Sequence, residues 1–135
     1  MNCYIKTNKV GDKFYYVNNV LHREDGQAEE YVNGTKFWYK KGILHRDGGP
    51  AVDTCYGTKE WFQNGKRHRE DGPACEYDTG DKFWYKNGVL HREDGPAVEC
   101  FDGYKEWYLN YKCYGVNNAF TNKSWKSFVK TLIFS

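Results

Sequence analysis

A glycine recurs every 23 residues along this chain, at Gly11, Gly34, Gly57, Gly80 and Gly103, and no other feature restricts the fold so tightly. Aligned on it, the other distinctive residues fall into columns. His22, His45, His68 and His91 are all the histidines of the chain, and Arg23, Arg46, Arg69 and Arg92 follow them directly. Tyr15, Trp38, Trp61, Trp84 and Trp107 form an aromatic column with a second ring after each, and Lys13, Lys36, Lys59, Lys82 and Lys105 form a lysine column. Self-similarity at a period of roughly 20–50 residues marks arrays in which each unit buries its faces only against its neighbours. One copy alone is therefore not expected to fold.

Within a copy the residues specify strands and tight turns. β-Formers such as Lys36-Phe37-Trp38-Tyr39 stop at Asn64-Gly65-type dipeptides, the strongest short hairpin signal. Further turns are expected at Asn33-Gly34 or Asp102-Gly103, and at Asp-Gly-Pro-Ala as in Asp71–Ala74. A two-residue turn at Asn64-Gly65 pairs Trp61 with His68 and Lys59 with Glu70. In the neighbouring copies it pairs Trp38 with His45, Lys36 with Asp47, Trp84 with His91 and Lys82 with Glu93. Aromatic–His and Lys–acid pairs then share one face, with Tyr39, Leu44 and the arginines on the other.

The ends depart from the pattern, as an array needs. Residues 1–10 are expected to add an edge strand or cap. Residues 11–33, 34–56, 57–79 and 80–102 are four copies, the first degenerate, and 103–115 is a partial fifth. Residues 116–135 hold an amphipathic segment. There Phe120, Trp125, Phe128, Val129, Leu132 and Ile133 recur at helical spacing behind Thr121 or Asn122 as N-cap, predicting a helix over about 121–133 that closes the apolar edge of the last strands. The expected fold is mainly β: an elongated antiparallel β-hairpin repeat, an open sheet or solenoid, with a C-terminal capping α-helix. Composition agrees, since aromatic residues make up 19% of the chain while mean hydropathy is −0.92. Such a mixture suits a thin sheet covered by amphipathic rings.

The net charge of +2 gives no global field that would select nucleic acid. No segment approaches the roughly 18 apolar residues of a membrane span and the first residues lack a signal-like apolar run, so a cytoplasmic location is expected. The five cysteines have no CxxC spacing and are expected to be reduced thiols. A metal centre is not expected, because histidines of successive copies lie two or three strands apart, roughly 10–14 Å. Neither is catalysis, which needs a singular constellation where this chain offers copies of a ladder. No cofactor is implied.

The run Asn64-Gly65-Lys66-Arg67-His68, followed by a glycine turn, an aromatic strand and the next Gly, resembles the MORN repeat (membrane occupation and recognition nexus), whose length is the same. The resemblance covers about residues 11–114. It departs after the histidine, where the MORN pattern has Gly-x-Gly and this chain has Arg69-Glu70-Asp71-Gly72-Pro73-Ala74. That variant is similar to uncharacterised repeat proteins of tailed phages and giant DNA viruses. The second copy departs again, with Arg46-Asp47-Gly48-Gly49. The resemblance implies a MORN-like grooved scaffold, with a lipid-headgroup role inferred for some members. Its viral side implies a protein that acts in the host cytoplasm on a defence factor, by docking on it or by sequestering a nucleotide messenger. The candidate binding residues are Trp38, Trp61 and Trp84, His45, His68 and His91, and Arg46, Arg69 and Arg92. A protein partner is expected first, a nucleotide or other anion on the arginine ladder second, and an oligomer is compatible with either.

Overall fold

The structure is a computed structural model that describes residues 2–133. Positions 1, 134 and 135 of the expected caps lie outside the described residues. The chain forms two compact units, Met1–Arg67 and His68–Ser135.

In the first unit, Cys3–Thr7 pairs antiparallel with Lys13–Val17 over its whole length, from Cys3 opposite Val17 to Thr7 opposite Lys13. This is the expected extra N-terminal strand. Lys13–Val17 also pairs with Val20–Leu21 and with Glu29–Glu30. An antiparallel path continues through Lys36–Phe37, Val52–Asp53 and Lys59–Glu60. Beside it stand two small hairpins, Tyr39–Lys40 with Ile43–Leu44 and Phe62–Gln63 with Lys66–Arg67. Their turns are left-handed at both central residues, Lys41-Gly42 at φ +50° and +77° and Asn64-Gly65 at φ +52° and +79°. That is the hairpin turn whose twist matches the strands. The registers Tyr39–Leu44 and Phe62–Arg67 are those expected from the turn dipeptide.

The second unit repeats the scheme. Its path runs Cys75–Glu76, Lys82–Phe83, Val98–Glu99, Lys105–Leu109 and Lys112–Val116, with the hairpin Tyr85–Lys86 and Val89–Leu90 beside it. Neither path closes on itself, so the sheet is open. The last two strands are five residues long. No Asp-Gly-Pro-Ala turn interrupts them, and the sheet continues through a register shift between Trp107 and Tyr108. A short 3₁₀ turn at Asn117–Ala119 and the helix Asn122–Ile133 complete the unit. Thr121 caps the helix, its Oγ1 accepting the Ser124 amide at 3.0 Å.

Two expectations need correction. The lysines do not face the acids of the histidine loop. Lys36 pairs with Asp53 rather than Asp47, Lys82 with Glu99 rather than Glu93, and Lys59 with Asp53 rather than Glu70. The cause is a change of partner at the aromatic column: the Trp38 amide donates to the Ala51 carbonyl at 2.8 Å, while the Trp38 carbonyl accepts from His45 at 3.1 Å. Trp84 does the same between Ala97 and His91. Tyr15 does the same between Ala28 and His22 with Gln27 in place of proline, so it is the loop after the arginine, not proline, that ends the hairpin until the alanine brings the chain back. Second, the apolar stripe of the helix is only partly covered. Trp125 and Val129 are buried against Trp107, Leu109, Tyr114 and Phe120, whereas Leu132 and Ile133 are 41% and 59% exposed.

The returning Ala-Val pair is the core of each copy. Ala28, Ala51, Ala74 and Ala97 have no exposed surface, and Val52, Cys75 and Val98 beside them are buried. Glu29 takes the valine position in the first copy and is buried too, accepting the Tyr31 hydroxyl at 2.8 Å.

Candidate functional site

Arg23, Arg46 and Arg92 do not lie beyond Tyr and Leu on the far face, as the register had suggested; each lies over a ring of the aromatic column. The guanidinium carbon is 4.0 Å from the Tyr15 ring centroid for Arg23, 3.8 Å from Trp38 for Arg46 and 3.9 Å from Trp84 for Arg92. Nη1 donates to the carbonyl four residues on, in Gln27, Pro50, Pro73 and Pro96, at 3.0–3.2 Å. This wrapping explains the glycine of the Gly-Pro step. A Cβ added at Gly49 or Gly95 would stand 2.7 Å from the guanidinium carbon, and at Gly72 2.9 Å.

Three of the four arginines are also tied to carboxylates. Arg23, Arg69 and Arg92 donate through Nε to Asp25, Asp71 and Asp94, and through Nη1 to Glu30, Glu76 and Glu99, at 2.8–3.2 Å. The guanidinium of Arg23 holds the Asp25 carboxyl below its ordinary range. For Asp94, burial pushes the other way, and the Arg92 hydrogen bond and charge still bring it below the ordinary value.

The histidines join each copy to the next. Nδ1 of His22, His45, His68 and His91 accepts the backbone N–H of Lys41, Asn64, Asn87 and Asn110 at 2.7–3.0 Å. Nδ1 must therefore be unprotonated, leaving the proton of the neutral ring on Nε2, which points to Glu24 and Glu70 at 2.6 Å and to Asp47 at 3.3 Å. His68 in turn is the largest influence holding the Glu70 carboxyl below its usual range. Both ring nitrogens have structural partners.

The expected residues thus meet within copies: Trp38 with His45 and Arg46 in the first unit, and Trp84 with His91 and Arg92 in the second. His68 and Arg69 belong to the second unit, and Trp61 is half-buried in the first. Two clefts are lined by these groups. One of about 480 Å³ lies between Arg23, Asp25, Trp38, Lys40 and Arg46, and one of about 530 Å³ between Arg69, Asp71, Trp84, Lys86 and Arg92. Among the described residues no group of three or more His, Cys, Asp or Glu side chains is placed to hold a metal ion, and no helix is long and apolar enough to cross a membrane.

A second surface escaped sequence reasoning. Just before the period glycines stand Val10, Val32 and Tyr56 in the first unit, 67%, 66% and 75% exposed, and Phe101 in the second, 75% exposed. The Val10 turn is held by Asn8 Oδ1, and the other three are anchored by the neighbouring copy: Asp12 Oδ1 accepts the Val32 amide at 2.9 Å, Thr35 Oγ1 the Cys55 amide at 3.1 Å, and Asp81 Oδ1 the Phe101 amide at 2.9 Å. The signal was present, since large apolar residues occupy turn positions that ordinarily carry polar ones. The sequence matches no known family model and no curated protein.

Proposed function

We propose that this chain is a non-enzymatic binding module that docks on a protein partner through its repeat surface. The observation that carries the reading is the set of large apolar side chains, Val32 and Tyr56 above all, held out on turns fixed by hydrogen bonds from the neighbouring copy. Exposed rings and branched side chains on an ordered backbone offer contact area with little ordering cost, which is what protein interfaces favour. The histidines, whose carboxylate pairs invite a catalytic reading, also accept a backbone N–H of the next copy, which supports a structural role. A ladder of four arginines open to phosphates is disfavoured, because Arg23, Arg69 and Arg92 already hold two carboxylates each. A viral, host-defence setting enters by the resemblance of the repeat alone, and docking does not depend on it.

The test is affinity capture from a lysate with the native chain beside Val32→Ser/Tyr56→Ser, both positions being solvent-exposed and unnecessary to the core. A partner recovered by the native chain and lost with the variant is the expected result. Equal recovery by both, or nothing above background, would refute docking at this surface.

A further inference from the structure

The second copy breaks the arginine pattern, and the other three show what is missing. Arg46 lies on Trp38 at 3.8 Å and donates Nη1 to the Pro50 carbonyl at 3.1 Å, as its counterparts do. Two residues on, where Asp25, Asp71 and Asp94 cap Nε elsewhere, this copy has Gly48. Seven residues on, where the others have Glu30, Glu76 and Glu99, it has the shorter Asp53, which turns to Lys59 at 3.3 Å. The adjacent Asp47 faces His45 at 3.3 Å and Lys40 at 3.6 Å. Among the described residues, Arg46 alone of the four is within ion-pair distance of no carboxylate.

We infer that Arg46 is the carboxylate-accepting site of this chain, completed by an acidic side chain of the protein partner; the source of that side chain rests on the docking reading above, the site itself does not. Three observations support it. The guanidinium is pre-positioned by the Trp38 ring and the Pro50 carbonyl, so little freedom remains to be lost on binding. Space is available, since a Cβ built on Gly48 meets nothing within 4 Å. The chemistry has an internal template, because the same Nε takes a carboxylate at 2.8–3.2 Å in the three other copies. Charge separates this ligand from a nucleotide. The cleft beside Arg46 balances Arg23, Lys40 and Arg46 against Glu24, Asp25 and Asp47, a set that tolerates one incoming negative charge better than the several of a polyphosphate.

The experiment follows the arginine Nε–H resonances of the full chain by NMR while sodium acetate, the neutral-flanked peptide N-acetyl-Ala-Glu-Ala-amide or inorganic phosphate is added at constant ionic strength. A saturable shift at Arg46 with acetate and peptide, absent at Arg23, Arg69 and Arg92, is expected. Asp47→Glu/Gly48→Asp gives this loop the His-Arg-Glu-Asp-Gly-Pro sequence of the third and fourth copies. Gly48 lies at φ +79°, whereas Asp71 and Asp94 are not left-handed, so the loop must take the backbone of those copies. The new aspartate then fills the site from within and should weaken the response by about tenfold or more. A linear, unsaturable shift, or equal shifts at all four arginines, would overturn the site. So would an undiminished response in the double variant. Phosphate saturating Arg46 at about one-tenth the acetate concentration or less would overturn the carboxylate assignment. If acetate binds but the double variant captures the partner as well as the native chain does, the partner's carboxylate is not the one bound here.

Discussion

Removing the Trp125 ring should detach the C-terminal helix. A helix of 12 residues is marginal by itself in water, so this one persists because it is docked. Trp125 has no exposed surface and packs against Trp107, Phe120 and Phe128 with ring centroids 4.8–5.8 Å apart. Its Nε1 donates to the Arg92 carbonyl at 2.9 Å, tying the helix to the loop after the last histidine. Trp125→Ala removes the ring and leaves a cavity, at a cost of about 3–5 kcal/mol. Trp125→Phe keeps most of the packing and loses the hydrogen bond, at about 1–3 kcal/mol. Leu132→Ala, at a side chain 41% exposed, should change stability by about 0.5 kcal/mol.

The assay is urea denaturation followed by far-ultraviolet circular dichroism, with amide exchange to localise the loss, since an array of repeats need not unfold in one step. Trp125→Ala should lose helical signal before the sheet melts and speed exchange at Lys105–Leu109 and Lys112–Val116, because Trp107, now 1% exposed, would be uncovered. Equal effects of Trp125→Ala and Leu132→Ala would refute the view that the buried pair Trp125 and Val129 anchors the helix. So would unchanged exchange in the last two strands.

The arginine loops give a comparison inside one protein: Arg92→Ala should cost about 2–3 kcal/mol, from the Trp84 stack and carboxylate bonds discounted for the exposure of Asp94 and Glu99. Arg46→Ala should cost about 1–2 kcal/mol, the stack and one carbonyl bond, and the gap in urea midpoints should narrow in high salt; a larger loss at Arg46 would contradict the pairing. Gly95→Ala should cost no more than Arg92→Ala, because it acts by pushing the guanidinium off its partners, and the double variant should fall well short of the sum; additive losses would show another cause. Tyr31 is pushed up to about 12, first by burial and then by its bond to Glu29, and Tyr108 to about 12 by burial and Glu106. With unfolded tyrosine titrating near about 10, the stability these hydroxyls contribute is complete below about pH 10 and lost as pH rises through about 12, so Tyr31→Phe/Tyr108→Phe should flatten the alkaline fall in urea midpoint; parallel curves would count against it.

What was legible in the sequence was local. Two-residue turns fix their own register, so Asn64-Gly65 sufficed to place Phe62 opposite Arg67. Helical spacing and a threonine cap placed the last element within a residue of its observed start. What was missed depends on partners distant along the chain. No local rule shows that Trp38 donates to Ala51, thirteen residues on, while accepting from His45, and so the lysine pairs were assigned to the wrong acids. The arginine stack was missed for the same reason: a strict two-residue alternation puts Arg46 on the face opposite Trp38, but the alternation ends at the loop. The exposed residues before the period glycines are not legible from the repeat, because Val10, Val32, Tyr56 and Phe101 vary around a repeated backbone.

That distinction also orders the candidate surfaces. The residues repeated in every copy have a structural role in each: His accepts an amide of the next turn, Arg donates to the carbonyl four residues on, and Ala is buried in the core. Their repetition follows from building one unit several times, and a groove made only of them presents neutralised charge and half-covered rings. A specific partner needs something that a one-unit shift along the array does not reproduce, or it would bind in several registers with similar affinity. The non-repeating residues supply it: Val32 and Tyr56 on the turns of the first unit, and the Arg46 guanidinium whose carboxylates were replaced by Gly48 and by an Asp53 committed to Lys59. Val32, Tyr56 and Arg46 all lie in Met1–Arg67, so on the docking reading proposed above that unit would set the register.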